Sequence, residues 1–429
     1  MLFLVYLKLF LTLILVFIVP GWLILDLFFA GRDRLSLIEK TGLSLPLSVT
    51  LINFIVLLLG RFNVGLNAFN LYLTLIFSVG VLALAYYFLQ KKSQHNSKPV
   101  LPIKTFSRKN LIILSLISIL ISARFLALDI VPNNTDLGHH MYWVKNLEIN
   151  EKIPDYNTSD VIVGEHIAFF VLSKLTGIDI LTAFPVVFLM IIDLISFLLI
   201  FQLAKRISRK ESIALISFAF IAVLYVIAAP FMKFVSGGVV GNTFGNLFIP
   251  SVLLSLFLSF RFNEKRFLAL AIFLFVGIFY IHHLSTFLLI FIILSLVGSQ
   301  ILLELMFPYR KRFDFRVLKR WLRLFFSKAP LIVLTISAVF IGLIYTPHYI
   351  RHEAVETVVQ TPDKDSHRGV SLNSFTSSIG EFRTLLGILG VVVFGWVIAR
   401  NSSLKPQNKK QGQRNLQLNL NAALILGWL

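Results

Sequence analysis

Residues 267–307 read FLALAIFLFVGIFYIHHLSTFLLIFIILSLVGSQILLELMF. Two apolar runs, 267–281 and 284–307, meet at the polar pair His282 and His283. A helix rises 1.5 Å per residue, so about 20 apolar residues cross a hydrocarbon core of roughly 30 Å. Two such runs joined by a two-residue break predict adjacent spans of opposite direction. The pattern repeats outward in both directions, near 2–29, 42–60, 68–89, 111–131, 179–203, 212–230, 247–260, 329–347 and 383–399, with a partial run from 417. The sequence therefore predicts an all-α, polytopic membrane protein with 11 to 12 spans. A hydrophobic fraction of 57%, a charged fraction of 14% and a mean hydropathy of +0.83 agree with that class.

The net charge of +19 would point to nucleic acid in a soluble protein, but its distribution gives it another meaning. Alternation of the spans puts 31–40, 90–110, 204–211, 261–266, 308–328 and 400–416 on one side, and these loops hold 29 of the 40 Lys and Arg. Thirteen of the 21 acidic residues fall on the other side. This is the positive-inside bias, which accounts for the charge without a nucleic-acid partner and assigns the basic loops to the cytoplasm. The expectation is an integral protein of a prokaryotic plasma membrane with its N-terminus outside. The first run, MLFLVYLKLFLTLILVFIVPGWLIL, is too long for a signal-peptide core and lacks a small-residue cleavage site, so it reads as a retained span. With no cysteine, disulfides, thiolate metal sites and thiol catalysis are excluded.

Composition divides the chain into a three-span unit (1–89), a basic Pro- and Ser-containing linker (90–110) and a main membrane core (111–429). The chain ends inside an apolar segment, which predicts either a stub or a continuation in a longer protein. Residues 308–328 are basic and aromatic with apolar positions at helical spacing, as in a surface helix bound to anionic headgroups. Residues 231–246 carry Gly237, Gly238, Gly241 and Gly245, which predicts a flexible or close-packed outer loop.

The longest polar island, in the outer loop 132–178, begins PNNTDLGHHMYWVKNLEINEKIPDYNTSDVIVGEH (132–166). Asp136 lies three and four residues before His139 and His140, so on a helix its carboxylate can share a face with either imidazole. That spacing suits a carboxylate base oriented by a histidine, a cation site built on Asp136 and His140, or merely a helix-capping Asp. Glu165 and His166 form a second acid and imidazole pair, and Asp129 adds a carboxylate at the end of the preceding span. HHMYWVKNLEI and EHIAFFVLSKLTGI mix apolar and charged residues as helices lying in the membrane interface do. Arg124, Arg351, Arg368 and Lys233 are the outer cations able to meet a phosphate. His282 and His283 fall on the same side. Asp26, Asp193 and Lys8 are the ionisable residues placed within spans, where such groups suggest function.

TDLGHHMYWVKNLEINEKIPDY, with its Asp, the His pair, an amphipathic stretch and Ile-Pro, resembles the first outer loop of the GT-C superfamily of membrane glycosyltransferases. GEHIAFFVLSKLTGIDILTAF is similar to the helix that leads those enzymes into their next span, and the resemblance covers roughly 111–300. It implies transfer of a sugar from a polyprenyl-phosphate carrier to a glycan, lipid or protein acceptor at the extracytoplasmic face. It further implies Asp136 as general base, with His139 or His140 orienting it or helping to bind a metal; Arg124, Glu165, His166, His282, His283 and Arg351 are the candidates that position and charge offer for binding the donor's sugar or phosphate. A divalent cation, Mg or Mn, is the cofactor such a site would use. No WWD-type motif and no large C-terminal soluble domain is present, which points away from an oligosaccharyltransferase. The competing classes are a transporter or flippase of a lipid-linked or polar solute and a non-catalytic assembly partner of the same fold. A transporter would place ionisable residues along a path through the bilayer.

Overall fold

The computed structural model describes residues 2–29, 35–93, 108–128, 135–153, 164–182, 184–227, 240–306 and 316–346. These residues form helices without a strand. In chain order they are α1 (Leu2–Phe17), α2 (Val19–Phe29), α3 (Leu37–Arg61), α4 (Ala68–Ser93), α5 (Arg108–Leu128), α6 (Thr135–Asn150) and α7 (Gly164–Thr176). Then follow α8 (Phe184–Ser208), α9 (Glu211–Ile227), α10 (Val240–Phe262), α11 (Lys265–Phe279), α12 (His283–Met306), α13 (Arg316–Phe325) and α14 (Lys328–Phe340), the last continued by a π-helical turn, Ile341–Tyr345.

Seven described helical segments are long and apolar enough to cross a membrane: Leu7–Phe29, Leu37–Arg61, Ala68–Leu89, Phe184–Ser208, Val240–Phe262, His283–Ile301 and Lys328–Tyr345. The chain is an integral membrane protein, helical throughout the described residues apart from its turns. Shorter apolar helices, Asn110–Leu120 and Glu211–Phe220, coincide with two further runs of the sequence. The runs expected at 383–399 and from 417 lie outside the described residues.

Burial sorts the spans into an inner and an outer set. In the apolar stretch of each span, 94% of the residues are buried in Val240–Phe262, 78% in Leu37–Arg61 and 72% in Phe184–Ser208, whereas 11% are buried in Ala68–Leu89 and 22% in Lys328–Tyr345. The outer helices expose large apolar side chains such as Phe69, Ile76, Phe77 and Phe88, as lipid contact requires. The inner helices approach closely through small residues, the usual means of helix packing in lipid. A Cβ built on Gly277 of α11 would lie 2.1 Å from Thr50 Oγ1 of α3, and one on Gly21 of α2 would lie 1.9 Å from the Ser44 carbonyl oxygen. The Gly21 N–H also donates to Ser48 Oγ at 2.8 Å. Backbone cannot swing aside as a side-chain tip can, so Gly21→Ala is expected to cost at least about 1–3 kcal/mol. A detergent-unfolding titration would read that loss, and an unchanged midpoint would remove the α2–α3 contact from the account.

The basic loops converge on one end of the bundle. Arg206 of α8 donates through Nε to Glu39 Oε1 at 2.5 Å and through Nη2 to Oε2 at 2.6 Å. Glu39 also closes a capping box with Ser36 at the start of α3. Arg261 donates to the Arg206 carbonyl, Arg266 to the Phe28 carbonyl, Arg320 to Asn263 Oδ1 and Lys205 to Glu211. Helix α13 lies across this end, with the Trp321 ring against Phe260 at 3.8 Å between centroids and its indole N–H on Gln300. Its Lys319, Leu322 and Arg323 are exposed.

At the other end, Leu66 N–H donates to the Glu151 carbonyl, Tyr72 OH to the Leu175 carbonyl and Gly164 N–H to the Tyr280 carbonyl. Helix α10, 23 residues or about 34 Å long, runs between the two ends, as α3 and α8 do. The residues expected deep in the bilayer separate between these ends. Lys8 reaches Gly177, and Asp26 pairs with Lys40 at 3.3 Å. Asp193, 2% exposed, stays inside its span.

Two local readings of the sequence need correction. Residues 240–246 are not loop: α10 begins at Val240, and Gly241 and Gly245 sit in its first two turns as close-packing positions. Nor does the stretch from Glu165 onward lie on the surface, because every residue of α7 except Lys174 is buried, packed among α1, α3, α4 and α6. Apolar residues on nearly all sides fit enclosure by protein better than an interface.

Candidate metal centre

Helix α6 buries Leu137, His140, Met141, Val144 and Leu147 and exposes His139, Tyr142 and Ile149. Consecutive residues on a helix point about 100° apart, and the two histidines differ in where they face. His140 faces inward. His139 is turned outward and accepts a hydrogen bond from Trp143 Nε1 at 3.2 Å. Lys145 pairs within α6 with Glu148 at 3.0 Å, and ion pairs of Lys145 with Asp179 at 3.3 Å and of Lys174 with Glu151 at 2.8 Å fasten this region to its surroundings. The Glu148 carboxylate beside Lys145 holds its ammonium pKa above the usual value.

Helix α7 starts at Gly164, where a Cβ would come within 2.6 Å of the Tyr280 carbonyl oxygen. Glycine therefore lets the helix begin against the α11–α12 turn, and its first turn delivers Glu165 and His166, both buried. Glu165 Oε1 lies 2.8 Å from His140 Nδ1, and His140 Nδ1 lies 2.8 Å from His166 Nε2. His166 Nε2 is 4.0 Å from Glu165 Oε1. One ligand atom from each of the three residues thus falls within 4.8 Å of the others.

Protons fit this triangle poorly. A single hydrogen on His140 Nδ1 cannot lie along the lines to both a carboxylate oxygen and an imidazole nitrogen. Burial, with the His140 and His139 rings beside it, pushes the His166 pKa well below its usual value, so its ring is neutral and keeps a lone pair. A divalent cation would answer all three lone pairs together. Ligands about 2.0–2.1 Å from a tetrahedral ion are about 3.3 Å from one another, and the observed separations of 2.8 and 4.0 Å bracket that value. Two imidazoles and one carboxylate suit Zn, Mn, Fe or Co. Of the two cations expected from the sequence, Mn fits this set, while Mg prefers oxygen ligands.

His282 and the Glu165 carboxylate both border Gly241 of α10. A Cβ built on Gly241 would stand 2.8 Å from His282 Nε2 and 3.0 Å from Glu165 Oε2. His283, by contrast, meets the Tyr345 hydroxyl at 3.2 Å and stacks edge-on against Phe279, so it takes no part in the cluster. Asp136 lies in the first turn of α6 and Arg124 in α5, with side chains outside the described residues. Asp129, Lys233, Arg351 and Arg368 lie outside them altogether.

The structure brings together His140, Glu165, His166 and His282 from the expected set. Gly164, Gly241, Gly245 and Ser285 were not singled out as site residues. The available signals were the four-residue spacing of Gly241 and Gly245 and the three-residue spacing of His282 and Ser285, both of which place side chains on one helical face. Comparison with protein-family models, with curated proteins and with solved structures gives no match.

Proposed function

We propose that this chain is a membrane glycosyltransferase that moves a sugar from a polyprenyl-phosphate donor to a glycan, lipid or protein acceptor at the extracytoplasmic face. The observation that carries the reading is the convergence of Glu165 and His166 of α7 on His140, which stands on the same helix as Asp136. The cluster stands at the end of α10 opposite the Arg206, Arg261 and Arg266 girdle. With that girdle facing the cytoplasm under the positive-inside rule, the cluster faces outward.

In the proposed reaction an acceptor hydroxyl oxygen bonds to the anomeric carbon. The bond from that carbon to the phosphate oxygen breaks, and its electron pair leaves with the phosphate. Asp136 takes the hydroxyl proton. A phosphate departs as a stabilised anion, so the site has little need of a general acid. A divalent cation held by His140, Glu165 and His166 would supply a Lewis acid for the charge that develops on the phosphate. Among the described residues, the fully buried carboxylates Glu39 and Glu165 lie at opposite ends of the bundle, and Asp193 is buried in mid-span. That distribution supports an enzyme over a transporter.

The test is transfer of labelled sugar from a panel of polyprenyl-phosphate donors in membranes holding the full-length protein. Asp136→Asn is expected to lower the rate by about 10²–10⁴-fold, the usual worth of a general base. Donor binding without transfer by the unaltered protein would move the reading to a transporter or an assembly partner.

A further inference from the structure

We infer that the outward stripe of α13, formed by Lys319, Leu322, Arg323 and Phe326, is a binding site for anionic phospholipid of the cytoplasmic leaflet: the two cations hold the headgroup phosphate and the two apolar side chains enter the acyl boundary. The site stands apart from the metal centre and from glycosyl transfer.

The four residues follow one another at i, i+3, i+4 and i+7, the spacing of a single helical stripe. Phe326 lies one residue past the end of α13, and its N–H donates to the Leu322 carbonyl at 2.8 Å, so the helical turn carries it onto the same stripe. All four are exposed, Leu322 by 48% and Phe326 by 65%. The opposite stripe is taken by the protein. Leu324 is buried, the Trp321 ring rests against Phe260 while its N–H donates to Gln300 Oε1 at 2.7 Å, and Arg320 donates to Asn263 Oδ1 at 3.1 Å and to the Phe260 carbonyl. With one side of the helix docked, the other is the side left to meet a partner.

Chain connectivity sets the depth of that stripe. A single residue, Ser327, in extended backbone separates Phe326 from Lys328, the first residue of the span Lys328–Tyr345. The helix therefore lies where that span enters the membrane, at the end of the bundle that holds Arg206, Arg261 and Arg266. By the positive-inside rule this end faces the cytoplasm. Leu322 and Phe326 alternate there with Lys319 and Arg323, the composition of a helix partly sunk at headgroup level. Residues one turn apart have Cβ atoms about 5–6 Å from one another, near enough for both cations to meet one phosphate. Lys328, also exposed, adds a third charge at the same level. The segment 400–416, assigned to the same side, carries five Lys and Arg and no acidic residue, so charge repulsion disfavours it as the occupant.

The chain has no cysteine, so Leu322→Cys in the full-length protein supplies a unique attachment point for a bimane fluorophore. In nanodiscs of phosphatidylcholine, phosphatidylglycerol brominated on its acyl chains is expected to quench the label more strongly than phosphatidylcholine brominated in the same way at the same mole fraction. Adding Lys319→Gln or Arg323→Gln is expected to lower the relative affinity for phosphatidylglycerol about fivefold each, the worth of one basic residue beside an anionic leaflet. Arg209→Gln with Lys210→Gln, exposed cations between α8 and α9 at the same end, is the control and is expected to leave the preference unchanged. Absence of quenching by either lipid would overturn the inference, because the stripe would then lie in water or under protein. Equal quenching by the two lipids would overturn it as well. So would a control that loses as much preference as the site variants, since the overall charge of this end would then explain the effect.

Discussion

Glu165→Gln is expected to remove most of the thermal stabilisation that a divalent cation gives the unaltered protein. The substitution keeps the shape of a fully buried side chain and removes only its charge. Structural Zn in small metal domains is worth about 10–16 kcal/mol across four ligands, so one ligand carries about 3 kcal/mol, or roughly two decades of affinity. A cation at about 100 times its dissociation constant stabilises the unaltered protein by about 2.7 kcal/mol. After a two-decade loss most of that shift disappears at the same concentration. The apo forms provide the control, because a buried carboxylate carries a desolvation cost that the amide avoids. Apo Glu165→Gln should therefore unfold no earlier than apo wild type. An equal cation-induced shift in both proteins would place the cation elsewhere.

The second large effect lies at the opposite end of the bundle. Glu39 has no solvent exposure, receives two hydrogen bonds from Arg206 and closes the capping box of α3 through Ser36. Removing one partner of a buried pair leaves the other charge uncompensated, at a cost of about 3–5 kcal/mol. Glu39→Ala also deletes the reciprocal cap, worth about 1 kcal/mol more. The double replacement Glu39→Met with Arg206→Met is expected to recover much of the loss, because apolar residues of similar volume often replace such pairs without penalty. Equilibrium unfolding in mixed detergent reads all three proteins. A single variant within about 0.5 kcal/mol of wild type would show that the pair does not hold α3 to α8, since that is the scatter of an ordinary surface substitution.

Seven of the eleven apolar runs correspond to described helices long enough to cross a membrane, while the run at 267–281 forms a helix of only 15 residues. The seven were legible because a lipid environment writes itself into composition: long apolar runs, with Lys and Arg gathered in alternate loops. The structure's basic girdle joins those same loops, from Glu39 and Arg206 to Arg261 and Arg320. What escaped the sequence was packing inside the bundle. Residues 240–246 looked like a loop because glycine, asparagine and threonine are poor apolar-run residues, yet they are helical since Gly241 and Gly245 must meet His282 and Ser285 closely. Enclosure of α7 was equally invisible, because hydropathy does not distinguish a helix surrounded by protein from one touching lipid. At the site, the sequence supplied the residue types but not the choice among neighbours. His140 and His282 turn inward, while His139 and His283 go to Trp143 and Tyr345. That selection depends on contacts across 26 residues between His140 and His166, a separation that no local spacing encodes.

The most direct measurement strips the full-length protein of metal with a chelator in liposomes that contain a polyprenyl-phosphate-linked labelled sugar and acceptor membranes, then restores Mn or Zn. The account predicts that transfer stops on stripping and returns with about one equivalent of cation per chain, and that Glu165→Gln recovers far less at the same dose. Transfer that continues undiminished in the stripped protein would contradict a metal centre at His140, Glu165 and His166. Full occupancy without transfer from any donor would contradict the enzyme.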